Sequence, residues 1–155
     1  MASQIRGSDN FDSAGNTSTV RLRTSNGSGS SNTMIRRFTT SVSDVGSDIT
    51  YADSATLGGT FTINTTGIYS ISYGDIWNAA SWMGISLNSS QLTTAILSIT
   101  AADRLMISTT TAAGYAAALS WTGHLTAADV IRAHESGTAE HASTQFANFT
   151  ITKVG

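Results

Sequence analysis

With 155 residues and a formal net charge of -2, the chain has the length of one domain able to bury its own core. It has no cysteine, which excludes a disulfide framework and a thiolate metal site. Only 12% of its residues are charged, about half the usual share, so no basic field exists to hold nucleic acid.

Serine and threonine abound, Thr, Ile, Val and the aromatics favour a pleated, half-buried surface, and the strong helix formers are scarce. The composition predicts an all-β fold. Proline is absent, so turns must come from Gly, Asn, Asp and Ser.

Residues 1–32 are rich in Ser, Gly, Asn, Thr and Asp, too poor in apolar groups to offset the entropy of ordering, and read as a flexible N-terminal arm. Its opening, Met1 to Arg6, lacks the cationic and then apolar pattern of a secretory signal. No stretch approaches the roughly 18 apolar residues of a membrane helix. Synthesis in the cytoplasm, with no membrane partner, is the expectation. Two islands interrupt the arm: Gln4-Ile5-Arg6, and Val20-Arg21-Leu22-Arg23, which alternates as an edge strand would.

From residue 33 to 155 the chain reads as a single jelly-roll domain, with short alternating or apolar runs separated by Gly, Asn or Asp signals. Strands are predicted near Met34–Thr40, Thr60–Ile63, Ile68–Trp77, Trp82–Leu87, Thr94–Ile99, Arg104–Thr110, Tyr115–Leu125, Val130–His134 and Phe146–Lys153. Thr126–Asp129 is predicted to be a turn. Eight or nine strands suit a two-sheet sandwich.

Alternation assigns the faces. Tyr69, Ile71 and Tyr73 share one face, and Tyr115, Ala117, Leu119 and Trp121 share another, opposite Ala116, Ala118 and Ser120. The latter run is uncharged on both sides and predicts cover on both. Phe149 and Ile151 face away from Phe146, with the same implication. In a thin two-sheet domain the second cover is another subunit, so these residues are read as core or trimer interface.

Three ordered segments, Gly67-Ile68-Tyr69-Ser70-Ile71, Ala118 through Val130, and Phe146-Ala147-Asn148-Phe149-Thr150-Ile151, resemble the globular head of complement component q and its tumour necrosis factor relatives. The resemblance spans roughly residues 34–155 and implies a ten-stranded-type jelly roll in a homotrimer. Two positions depart from the family pattern: Ala128 and Asn148 stand where it has glycine. By analogy with phage structural proteins, the expected role is non-enzymatic: a head decoration or cement protein on the outer capsid surface of a virion. Its partner would be the major capsid protein, and Ile5, Arg6, Arg21, Leu22 and Arg23 would dock on the shell. The alternative is the glycan- or receptor-binding tip of a tail fibre, with Trp77 and Trp82 against sugar.

Other constellations weigh less. His134-Glu135 and Glu140-His141 flank one hairpin tip, but their spacing matches no metal motif, and no cofactor is expected. Asp44, Asp48, Asp53 and Asp75 lack EF-hand spacing. Serine is everywhere but no Gly-x-Ser-x-Gly elbow occurs. The Arg36-Arg37 pair puts one side chain on each face of a strand, one to meet an Asp and the other solvent.

Overall fold

Alternating side chains sort ten strands into two five-stranded antiparallel sheets in the computed structural model, which describes residues 17–23, 27–136 and 146–155. In chain order these are β1 (Thr19–Arg23), β2 (Thr40–Val45), β3 (Ile49–Ala52), β4 (Thr60–Ile63), β5 (Gly67–Ile76), β6 (Ser81–Leu87), β7 (Arg104–Thr110), β8 (Ala116–Leu125), β9 (Val130–Glu135) and β10 (Asn148–Lys153). The first sheet runs β2-β1-β10-β5-β8 and the second β3-β4-β9-β6-β7. Neighbours distant in sequence, such as β1 and β10, make this a jelly roll rather than a meander.

The core lies between the sheets. From the first come Val20 and Leu22, Tyr69, Ile71 and Tyr73, Ala117 and Leu119, and Phe149 and Ile151. From the second come Phe61, Ile63, Met83, Ile85, Ile131 and Ala133. Phe61 and Phe149 stack across the gap with ring centroids 4.4 Å apart, and Phe38 meets Tyr73 edge-on at 6.0 Å. Such pairs add about 0.5–1.5 kcal/mol beyond the apolar area they remove from water.

The structure departs from the sequence expectations in four places. The island Val20–Arg23 belongs to β1, paired between β2 and β10 with Val20 and Leu22 buried. The jelly roll therefore includes part of the stretch read as an arm. A composition average hides two apolar side chains that fill a gap in a sheet built from the far end of the chain.

Met34–Thr40 forms no continuous strand. It makes the single bridge pairs Ser28↔Arg36 and Ile35↔His134 before β2 begins at Thr40. Thr94–Ile99 is likewise no strand: it belongs to the 88–103 connection, whose regular structure is one 3-10 turn at Ala101–Asp103. Ile96 and Ile99 are buried because this connection folds over the second sheet. Strands β2 and β3 lie at the sheet edges and carry little sequence signal, β2 because its side chains are mostly polar and exposed and β3 because it is only four residues long, with Ile49 and Tyr51 turned to the core.

The predicted turn at Thr126–Asp129 is present. Asp129 Oδ2 accepts from the Thr126 amide at 2.8 Å, and Ala128 sits at φ 76. The residue in the family's glycine position thus keeps the left-handed backbone that glycine adopts without cost.

Candidate assembly face

Alternation fixes which side chains leave the sandwich. On the outer side of the first sheet, cross-strand pairs bring Ser70 beside Thr122, Ser72 beside Ser120, and Gly74 beside Ala118, with Thr150 and Thr152 on the neighbouring β10. From β10 through β5 to β8 this surface carries no Asp, Glu, Lys or Arg. Apart from Ile68, Ile76 and His124 its side chains are short, and the outward ones of β8, from Ala116 to His124, are exposed. With no charge to strip of water, this face costs less to bury than an ionic one, provided its Ser and Thr hydroxyls keep hydrogen-bond partners.

The second sheet is different. Over β9 and part of β6 its outer side is covered by the chain's own 88–103 connection: the Ile96 amide donates to Glu135 O at 3.0 Å, and Arg132 Nη1 donates to Ser89 O at 3.3 Å. The fit is close enough that a Cβ on Gly84 would stand 2.6 Å from Ile96 Cγ1.

Strands β7 and β8 end their respective sheets and lie against each other along one side of the sandwich. There Leu105 and Trp121 pack on the core yet stay half-buried, and Met106 is exposed. A hollow of about 320 Å³ opens along Ala101 and Arg104–Ile107. A second, of about 290 Å³, lies where Gly74 leaves room between Ala116–Ala118, Phe146 and Asn148. The bare face and this apolar margin adjoin through β8.

The residues singled out from the sequence divide accordingly. Tyr69, Ile71, Tyr73, Ala117, Leu119, Phe149 and Ile151 lie in the core of one subunit, and the uncharged face is formed by their outward-pointing neighbours. Tyr115 is 61% exposed in the approach to β8, and Phe146 is 46% exposed before β10, so neither is core. Leu22 is buried inside the sandwich and cannot dock on a shell, whereas Arg21 and Arg23 are exposed on β1. Ile5 and Arg6 lie outside the described residues. Trp77 is fully buried, with the Arg36 guanidinium carbon 5.8 Å from its ring centroid, and offers no surface to a sugar. Trp82 remains 37% exposed.

Of the ionisable groups read as possible metal or calcium ligands, Asp48, Asp53, Asp75, His134 and Glu135 have protein partners. Arg36 Nε donates to Asp75 Oδ2 at 2.7 Å inside the protein, and the Tyr73 hydroxyl and Ile76 amide complete that carboxylate's shell. Burial opposes the charge on Arg36, but Asp75 more than restores it and holds the guanidinium pKa above its usual value. Burial, reinforced by Asp75, pushes the Tyr73 hydroxyl well up. Arg37 pairs at the surface with Asp53, and Lys153 with Asp48. Of the two arginines, then, one meets a buried Asp and the other an exposed Asp. Glu135 accepts from Ser28 Oγ, and His134 Nε2 donates to Thr94 O at 2.7 Å. Glu140 and His141 lie outside the described residues, among which no cluster of three or more potential metal ligands occurs.

No protein-family profile and no curated protein matches the chain. Among solved structures it is similar to murine APRIL at pH 8.0, with a TM-score of 0.64 and 13% identity over 89% of this chain and 99% of that one. Murine APRIL at pH 5.0 gives a TM-score of 0.63 with 12% identity over the same shares. At such identity the likeness carries the fold and nothing finer. Ten strands in two antiparallel sheets, in this order and with this neighbour, make the chain a jelly roll of the tumour necrosis factor type.

Proposed function

We propose that the chain is a non-enzymatic structural protein that assembles as a homotrimer and decorates the outer surface of a phage capsid. The observation that carries the assembly is the uncharged, small-residue outer face of β10, β5 and β8, adjoining the half-buried Leu105 and Trp121 of the β7–β8 margin. The two surfaces differ in chemistry, one uncharged and hydroxyl-rich and the other apolar, so pairing one with the other makes a head-to-tail contact, and the proposed trimer requires that contact to close after three copies. The absence of charge on the face lets it be buried without leaving ions unpaired. The interior acid–base groups serve packing: Asp75 holds Arg36, and His134 holds the backbone of the 88–103 connection.

The capsid setting extends this reading by analogy. Exposed Arg21 and Arg23 would meet acidic patches on a shell. Copy number per particle tests it: a cement protein is expected in hundreds of copies, a fibre tip in tens. Finding the chain at tens of copies, or missing from purified particles, overturns the decoration role.

A second reading, a glycan-binding fibre tip, is favoured by Trp82 alone, the one tryptophan with substantial exposed ring surface. Glycan-array binding that Trp82→Ala abolishes would support it over the first.

A further inference from the structure

On the outer side of the second sheet, β9 presents Arg132 and His134, and β6 presents Gly84 and Ser86 opposite them. All four lie under the 88–103 connection. His134 is fully buried: Nε2 donates to Thr94 O of that connection, and Nδ1 has no partner among the described residues. The other ties gather mainly at the two ends of the connection: Asn88 bonds Val130 and Asp129, Arg132 Nη1 donates to Ser89 O, the Met34 amide donates to Leu92 O and Arg104 Nη1 donates to Leu97 O, while mid-connection the Ile96 amide donates to Glu135 O. Ile96 and Ile99 are buried here but stand apart from the aromatic core between the sheets. Opening the connection would therefore expose a satellite cluster and leave the sandwich intact, which makes it a local unit of lower stability.

We infer that residues 88–103 form a flap latched by neutral His134, and that protonating this imidazole releases the flap from the second sheet while the jelly roll stays folded.

The chemistry follows from the ring's surroundings. A second proton on Nδ1 would be a buried donor with no acceptor, a costly arrangement. The charged group on the same face is Arg132, two residues along β9, which repels an imidazolium. From β6 the face offers only Gly84 and Ser86; from the flap, Thr94 O and Ile96; and Ile35, bridged to His134 from the other side, is apolar. Glu135 points instead toward Ser28 and Arg36. Burial, with Arg132 adding to it, lowers the His134 pKa below its ordinary 6.5. The closed flap is then favoured at neutral pH and loses stability as pH falls from about 6.5 toward the depressed value. This acid-operated device is independent of the assembly face, which lies on the opposite sheet.

Amide hydrogen exchange of the full-length protein between pH 7.5 and 4.5, corrected for the intrinsic rate, tests the latch. Protection of the Ile96 amide should fall about tenfold for each pKa unit separating the closed and open imidazole, while Ile71 and Tyr73 in β5 hold theirs. His134→Gln, which keeps a donor to Thr94 O but cannot titrate, should remove that pH dependence. If this variant fails to fold, an NMR titration of His134 in the native protein takes its place: a pKa at or above 6.5 overturns the inference. So does an Ile96 protection that tracks β5 at both pH values, or a His134→Gln protein that still opens in acid.

Discussion

Arg36 and Asp75, 39 residues apart in sequence, form an ion pair wholly removed from solvent, with Nε 2.7 Å from Oδ2. Asp75 sits near the end of β5 and Arg36 in the segment before β2, so the pair fastens an irregular stretch to a central strand. Removing one partner strands the other as a buried charge. Asp75→Ala should cost about 3–5 kcal/mol in denaturant unfolding, while Arg36→Met combined with Asp75→Leu should recover most of that loss. A single variant as stable as the native protein would show that the pair contributes nothing.

A charge placed on the bare face should separate the subunits without unfolding them. Ala118 is exposed on β8 opposite Gly74. Ala118→Arg would bring three guanidinium groups into an uncharged contact with nothing to pair them. The expected product is a folded monomer with an unchanged β-type circular dichroism spectrum. An unaltered assembly would remove this face from the contact.

Ala128 occupies left-handed backbone, φ 76, in the β8–β9 turn, with its amide donating to Ile63 O at 2.7 Å. That conformation costs a residue with a Cβ about 1–2 kcal/mol, against about 0.5–1 kcal/mol for glycine's extra freedom when unfolded. Ala128→Gly should therefore raise stability by about 0.5–1 kcal/mol, read as an increase in the denaturant midpoint at unchanged slope. A decrease would mean that the turn tolerates alanine without strain.

Asp48 accepts hydrogen bonds from Thr65 and from Ser18 Oγ, at 2.8 Å for the latter, and lies 3.3 Å from Lys153 Nζ. Together these hold its carboxyl below the usual 3.8. A carboxyl depressed by folding contributes stability that is present above the ordinary value and is lost as pH falls through the lowered one. Asp48→Asn should flatten the acid limb of the stability curve below about pH 4 and leave the limb between pH 5 and 7 as it was. An acid limb that the substitution leaves intact would assign it to other carboxyls.

The all-β jelly roll was legible because its central strands alternate cleanly: Tyr69, Ile71 and Tyr73 inward, Ser70 and Ser72 outward. So was the second uncharged face of β8, which Ala116, Ala118 and Ser120 announced. What escaped depended on long-range partners. Val20 and Leu22 look like an isolated pair until β10, more than a hundred residues later, supplies the strand beside them. Trp77 closes a predicted strand and is buried, as core packing of that strand requires, but its neighbour Arg36 comes from a segment whose place the local sequence does not give. The apolar run Thr94–Ile99 carries the composition of a strand but packs as a cover on β6, and no local periodicity separates those two uses of Ile96 and Ile99.

The outer face of β10, β5 and β8 carries no Asp, Glu, Lys or Arg, which suits it to burial between copies of the chain. Multi-angle light scattering of the purified chain at micromolar concentration tests it directly. Three chains of 16.1 kDa should elute as one species of about 48 kDa; a monodisperse, folded species at the mass of a single chain would contradict the account.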